Sequence, residues 1–302
     1  MKRVADILLG RSISGRQIRT AYLFLAPTIL FFLITFTYPT VQAFLLSLNK
    51  WSVTEGPEFV GLQQYVDVLS DKLLWTTVKN TSVLALLSVP LTMALALGAA
   101  LLFNAASRFP LRNVFRAIYF LPVITSAVAV AFVWNWIYQP DIGLLNALLS
   151  LFGIKRQMWI SSPKQVLPSL AIMNIWFRLG FDMIIFWAGL RGIPSEFYDA
   201  AKVDGAGSVG RFWHITLPLL NPQIVLVAVI EIINALKVFD LVFIATSGGP
   251  VNASRVIVLH IYDLAFSWNK MGEASAVAIY LFAIIMIVTV GQWKLLSRQV
   301  EY

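Results

Sequence analysis

The chain has 302 residues, 59% of them hydrophobic and 13% charged, and 23 Lys and Arg against 15 Asp and Glu give a formal charge of +8. Soluble domains carry roughly 25% charged residues, so the composition argues against a soluble enzyme and points to a membrane before it points to nucleic acid. The absence of cysteine excludes disulfide frameworks, thiolate metal sites and cysteine nucleophiles together.

Residues 1–20 carry Lys2, Arg3, Arg11, Arg16 and Arg19 ahead of the first apolar stretch. That stretch is too long for a signal peptide and has no small-x-small cleavage site, so the segment reads as a retained cytoplasmic anchor. Its alternative is a helix lying along the membrane surface, with Val4, Ile7 and Leu8 on one side. A helix needs roughly 20 apolar residues to cross the hydrocarbon core, and six segments qualify: 21–47, 78–103, 117–138, 166–190, 223–246 and 274–296. The expected fold is all-α, a polytopic membrane protein with six transmembrane helices. Its membrane domain spans 21–296, with a cytoplasmic loop at 191–222 and a cytoplasmic tail at 297–302. Pro27, Pro39, Pro90 and Pro122 fall within spans, where neighbouring helices can satisfy the freed carbonyls. The alternating ten-residue segments of a membrane β-barrel are not visible.

Six spans put both termini on one side. That side holds five basic residues in the N-terminus, three in 108–116 (Arg108, Arg112, Arg116), three in the fourth-to-fifth loop (Arg191, Lys202, Arg211) and two at the end (Lys294, Arg298), thirteen in all. The opposite loops hold Lys50, Lys72, Lys155, Arg156, Lys164, Arg255 and Lys270, seven in all. The bias predicts cytoplasmic termini. The basic excess is therefore a topology signal rather than a nucleic-acid one.

Catalytic constellations are missing. The sequence has no G-x-x-x-x-G-K-[ST] phosphate loop, no G-x-S-x-G and no H-E-x-x-H. His214 and His260 fall on opposite sides of the membrane and cannot share a metal or a triad; both read as ordinary loop or interface residues. Nothing calls for a cofactor or a metal. Charges inside spans are more informative, because they are costly in lipid and face partners or a water-filled path. Arg178 and Asp182 lie four apart in the fourth span, share a face and can pair. In the fifth span Glu231, Asn234 and Lys237 can share a polar flank, while Asp240 lies nearer the outer mouth. Two readings stay open for these groups: ion pairs that stitch helices together, or a solute path.

The loop after the fourth span is long and patterned. Ser195 after Pro194 suits an N-cap, with Glu196 at the positive end of the helix dipole. Gly205 suits a helix stop, since it takes the left-handed conformation without steric cost. A second short turn is expected at 208–213, and Asn221-Pro222 reads as an N-cap with proline at the first helical position. Ala200, Ala201, Gly205, Ala206 and Gly207 allow close approach of another surface, and Phe197, Phe212 and Trp213 supply apolar anchors. A loop this long is usually functional.

Asp199-Ala200-Ala201, Gly205 four residues on, and Ile215-Thr216-Leu217-Pro218 follow x-A-A-x-x-x-G-x9-I-x-L-P. The pattern resembles the EAA loop of ABC importer permeases, with Asp199 where that family usually has glutamate. Phe59 to Tyr65, Phe120-Leu121-Pro122, Phe239-Asp240 and Thr246 to Pro250 are similar to its carbohydrate-uptake branch. The resemblance implies a transport subunit that forms half of a path for a sugar, oligosaccharide or polyol. Its partners would be a homologous second permease, two cytoplasmic ATP-binding subunits and an extracytoplasmic solute-binding protein, with lipid around the spans. Coupling would fall to Glu196, Asp199, Ala200, Ala201, Asp204, Gly205, Ala206, Ile215, Leu217 and Pro218. The solute would meet Phe177, Arg178, Phe181, Asp182, Glu231, Asn234, Lys237 and Asp240. Two other classes remain: a stand-alone secondary transporter, which should show internal repeats that are not evident here, and an intramembrane enzyme.

Overall fold

A computed structural model describes residues 13–52, 56–105, 119 and 121–296. The basic residues up to Arg11, those of 108–116, the tail from 297 and Phe120 lie outside this range. Within it the regular structure is helical apart from one small hairpin. Helix α1 (Ile13–Phe32) passes through a π-helical turn at Leu33–Thr37 into α2 (Tyr38–Ser47). The π turn has a cause two residues later. Pro39 lacks an N–H and crowds the carbonyl one turn back, and the chain widens there, with the Tyr38 N–H donating to Leu33 O. Apolar side chains are exposed all along this element, Leu23, Phe24, Phe31 and Ile34 among them. A helix apolar all round belongs in lipid or against another subunit.

The hairpin pairs β1 (Asn49–Ser52) with β2 (Gly56–Phe59), Asn49 opposite Phe59. It was not expected from an all-α pattern and is too small to change the class. After it come α3 (Gln63–Ser70), α4 (Lys72–Ala105), α5 (Ala127–Ile137), α6 (Leu144–Leu151) and α7 (Val166–Gly192). Then follow α8 (Ser195–Val203), α9 (Ser208–Arg211), α10 (Asn221–Leu236), α11 (Asp240–Thr246), α12 (Ile257–Tyr262) and α13 (Met271–Leu296).

The centre of the fold is α4 packed along α7. Helix α4 turns small residues inward at Thr81, Ser88, Thr92, Ala96 and Ala100, the small-residue seam that lets membrane helices approach closely without a hydrophobic drive. Its hydroxyls are satisfied within the helix, Thr81 donating to Thr77 O, Ser88 to Leu84 O and Thr92 to Ser88 O. One core cluster joins Leu84, Val130, Leu170, Met173, Val242 and Leu259; a second, near the other end of α7, joins Ala96, Ala100, Phe186, Leu190, Leu220 and Val227.

Four of the six expected spans are long apolar helices among the described residues: Gly15–Ser47, Lys72–Ala105, Val166–Gly192 and Met271–Leu296. The other two are interrupted. In the third, Ser126 is extended (φ −64°, ψ 136°), and the 11-residue α5 that follows is too short to cross alone. In the fifth, α10 ends at Leu236 and α11 begins at Asp240 after an irregular Phe239 (φ −138°, ψ −63°). The six-segment reading is consistent with this architecture, but it treats as continuous two segments that are broken.

His260 is not an ordinary loop residue. It is buried in α12, with Nε2 3.8 Å from the Asp71 carboxylate and its ring against Trp268. Burial lowers its pKa from 6.5, opposed by Asp71, Asp263 and Glu273 and reinforced by Arg255. Above pH 6.5 the ring is neutral whether the chain is folded or not. Below it the unfolded chain takes up the proton first, so the folded state loses stability as pH falls toward the depressed value. Thermal unfolding of the purified protein from pH 8 to pH 5 should show this loss, and His260→Gln should flatten the His-dependent part of the slope.

Candidate functional site

The two interrupted spans have their breaks in the same place. Ala127, the first residue after the Ser126 break, and residues 237–241, across the fifth-span break, line one cavity of about 150 Å³. Asn174, Phe177 and Arg178 of α7 and Asn234 of α10 complete it. The break is electrostatically consistent. Lys237 sits at the C-terminal, partially negative end of α10, and Asp240 lies in the first turn of α11, at its partially positive end. Each charge complements the helix end beside it. Irregular backbone at membrane depth is tolerated where it lines a cavity, and this segment does so.

Beneath the cavity lies a buried ion pair. Arg178 donates through Nε to Glu231 Oε1 at 2.7 Å and brings Nη2 within 2.6 Å of the same oxygen. The Glu231 side chain is 1% exposed and that of Arg178 is 20% exposed. The guanidinium also stands 5.2 Å from the Phe181 ring centre, a cation–π arrangement strengthened by desolvation. This corrects the pairing expected along α7. Arg178 reaches across to α10 rather than back to Asp182, placing its charge against the buried carboxylate of Glu231. Asp182 is fully buried, and neither of its carboxylate oxygens has a hydrogen-bond partner among the described residues.

Of the eight expected path residues, Phe177, Arg178, Asn234, Lys237 and Asp240 line the cavity. Phe181, Asp182 and Glu231 do not; they form the layer behind it. Asp240, expected nearer an outer mouth, lines the cavity together with Lys237, one residue on each side of the interrupted stretch of the fifth span. Asn174 was missed. It lies one turn before Arg178 on α7, so the same-face argument used for Arg178 and Asp182, run in the other direction, would have found it.

At the far end of α7 the patterned loop forms its own unit. Helix α8 stops in a Schellman arrangement: the Ala206 N–H donates to Ala201 O at 2.8 Å and the Gly205 N–H to Lys202 O at 3.1 Å. Gly205 takes φ +78°, a conformation open to glycine without a Cβ penalty, which accounts for the spacing of Ala201 and Gly205. Pro194, not Ser195, occupies the cap position, and Ser195 is the first helical residue. Likewise Leu220 precedes α10, Asn221 is its first residue, and Pro222 falls in the first turn. The expected short turn is longer than 208–213. It runs from α9 through a π turn at Phe212–Thr216 to Leu219, repeating ahead of Pro218 the widening seen ahead of Pro39.

The loop residues divide by exposure. Glu196, Asp199, Ala200, Asp204 and Gly205 face outward, as does Pro218, while Ala201, Ala206, Ile215 and Leu217 are half-buried toward the bundle. Asp199 is held by Lys202 at 2.7 Å in an exposed pair, the kind that contributes about 0–1 kcal/mol and is easily released. Tyr198 fastens the unit through a 3.0 Å hydrogen bond to Thr216 Oγ1.

Asp182 lies one turn from Arg178 and can take over the guanidinium when Glu231 is removed. Glu231→Ala combined with Asp182→Asn should therefore lose about 3–5 kcal/mol, the cost of an uncompensated buried charge. Glu231→Ala alone should lose less. Equal losses in thermal unfolding of the purified protein would show that Asp182 takes no part.

Residues 88–301 match the family described as binding-protein-dependent transport system inner membrane component. The chain is 34% identical over 294 residues to the trehalose/maltose transport system permease protein MalF of Thermococcus litoralis, covering 96% of this chain and 97% of that one. It is 33% identical to the sulfoquinovosyl glycerol transport system permease protein SmoG of Agrobacterium fabrum, covering 89% of this chain and 87% of that one. Among solved structures, a bacterial ABC transporter that imports the acidic polysaccharide alginate contains a chain that superposes with TM-score 0.83. That chain is 25% identical, with 95% of this chain and 98% of that one covered. A second structure, the alginate transporter in complex with its pentasaccharide-bound periplasmic protein, gives TM-score 0.82 at 26% identity, covering 92% and 93%. The chain belongs to the binding-protein-dependent transport system inner membrane components, the permease subunits of ABC transporters.

Proposed function

We propose that this permease forms half of the solute path of an ATP-driven importer for a sugar, oligosaccharide or polyol, and that α8 and its flanking turn dock on a separate ATPase subunit. The observation that carries the reading is the cavity at the two converging breaks. It presents the amides of Asn174 and Asn234 and the charged groups of Arg178, Lys237 and Asp240 beside the rings of Phe177 and Phe239. Amides and charges hydrogen-bond hydroxyls, and aromatic faces suit the apolar faces of sugar rings. Relatives named for trehalose/maltose and sulfoquinovosyl glycerol agree with that chemistry. Phe181 and Glu231 serve the path indirectly, by setting the position of Arg178, and Asp182 stands one turn away as its alternative partner.

In this reading residues 21–296 form the membrane domain, the segments 1–20 and 297–302 lie in the cytoplasm, and 191–222 is the coupling loop on the same side. The partners are a second, homologous permease, two cytoplasmic ATP-binding subunits and an extracytoplasmic solute-binding protein. The outward group, Glu196, Asp199, Ala200, Asp204 and Gly205, meets the ATPase. Ala201, Ala206, Ile215 and Leu217 join that surface to the bundle, and the exposed Pro218 closes its far edge. ATP-driven closure of the ATPases would then shift the spans between two arrangements as rigid bodies.

The test is uptake by the assembled complex in vesicles. Asp199→Lys should leave the permease inserted and folded but weaken co-purification of the ATPase and cut uptake about tenfold or more, since a like-charge contact in an interface costs several kcal/mol. Lys237→Met should reduce uptake with ATPase binding unchanged. Normal co-purification and normal uptake in both variants would overturn the proposal.

A further inference from the structure

Helix α6 is amphipathic in the opposite sense to a helix on a soluble protein. Its polar side faces the protein. Asn146, 9% exposed, donates through Nδ2 to Pro140 O and Gln157 O, both at 2.9 Å. Its Oδ1 accepts from the Gln157 N–H at 3.1 Å and from Trp159 Nε1 at 3.0 Å. Gln165 extends the network, its Oε1 accepting from the Met158 and Trp159 N–H groups and its Nε2 donating to Gln157 Oε1. With all four bonds of its amide made, Asn146 fixes the rotation of the helix.

At ~100° per residue, Leu144, Leu148 and Leu151 fall about 140–200° around from Asn146. They are 50%, 47% and 78% exposed, and Phe152 beside them is 79% exposed. A side chain held by four hydrogen bonds thus turns three leucines and a phenylalanine away from the protein. Exposed apolar stripes of this kind mark interaction surfaces.

Two observations indicate the occupant. The stripe continues an apolar surface already on the outside of the membrane domain. Helix α5 exposes Val128, Phe132, Val133 and Trp136 on the side away from its buried Val130 and Ala131, and Ile142 bridges the turn to α6. That turn is fixed by Gly143, where a Cβ would lie 2.3 Å from Gln139 O, so the fold-back is built in. The segment around the helix also carries Lys155, Arg156 and Lys164, all exposed, with Arg156 in a solvent-exposed ion pair to Asp141 that a headgroup phosphate can displace. Apolar Leu and Phe beside Lys and Arg is the chemistry of a helix seated at the headgroup boundary, and an eight-residue helix is too short to span the hydrocarbon core.

We infer that α6 is a membrane-surface anchor: its Leu144, Leu148, Leu151 and Phe152 face lies in the bilayer interface at the end of the bundle opposite the 191–222 loop, with Lys155 and Arg156 at the level of the headgroup phosphates. The anchor fixes the outer end of the short α5, whose inner end borders the cavity, against the bilayer. It goes beyond the transport reading and does not depend on the solute.

The chain contains no cysteine, so single cysteines can carry a nitroxide label on this subunit without background from it. Leu148→Cys, Leu151→Cys and Ser150→Cys are made in the full permease, assembled in its complex and reconstituted in vesicles of neutral and anionic phospholipid. Collision with oxygen, which concentrates in lipid, is compared with collision with a water-soluble nickel chelate. Labels at 148 and 151 should favour oxygen by several-fold and the label at 150, exposed at the edge of the polar side, the chelate. Chelate access at 148 and 151 equal to that at 150 would place the stripe in water and overturn the anchor. Protection from both agents would show a protein partner covering it and would overturn the anchor equally. Loss of ATPase binding leaves these readings unaffected, so failure of the transport reading and failure of the anchor are separable.

Discussion

The pair between Arg178 and Glu231 is the interaction on which the arrangement depends. A charge inside a membrane span is costly unless it is paired and shielded, and here one guanidinium meets one carboxylate oxygen with two nitrogens across the α7–α10 contact. The fifth span is broken at 237–239, so its halves cannot be positioned by helix continuity alone. The pair fixes α10 against α7 two turns before the break. It thereby decides where Asn234, Lys237 and Asp240 stand relative to Asn174 and Phe177. Buried pairs of this kind seldom add net stability over apolar packing, but they do fix register, and register is what a broken helix lacks.

Asp182 gives the pair a second possibility. Two buried carboxylates stand near one guanidinium, and only one is engaged. Glu231 is on a neighbouring helix and Asp182 is on Arg178's own, so a rearrangement that separates α7 from α10 would leave the arginine a partner at one turn's distance. A bundle that moves as rigid pieces can then part at this contact without leaving a guanidinium unpaired.

The six apolar segments were legible because hydrophobic length alone specifies them, and the Ala201–Gly205 spacing was legible because a Schellman stop demands it. The interruptions were not. Nothing in Ile124-Thr125-Ser126 or Lys237-Val238-Phe239 is a strong helix breaker; the breaks depend on tertiary placement, with Lys237 and Asp240 complementing the two helix ends. The Arg178 pairing was misread for a related reason. Sequence spacing shows which residues share a helix face, while the competing partner on another helix becomes visible only when the helices pack. The reversed polarity of α6 was hidden likewise, since Leu144, Leu148 and Leu151 have the same pattern whether they face a core or a bilayer.

The same packing shows how the two ends of the molecule can communicate. Helix α8 is tied through Tyr198 to Thr216, in the π turn that ends two residues before Pro218. From there the chain reaches Leu220, fully buried beside Phe186 and Val227, and bends by 66° into α10. Helix α10 is continuous over its 16 residues, about 24 Å at the standard rise, and its far end carries Asn234 and Lys237 into the cavity. A displacement at α8 would therefore reach the cavity through one hydrogen bond, one packed elbow and one helix. Because α10 stops at Leu236, the movement would end there, shifting Lys237 relative to Asp240 rather than passing into α11. The break that shapes the cavity also makes it the place where motion from the 191–222 loop would be felt.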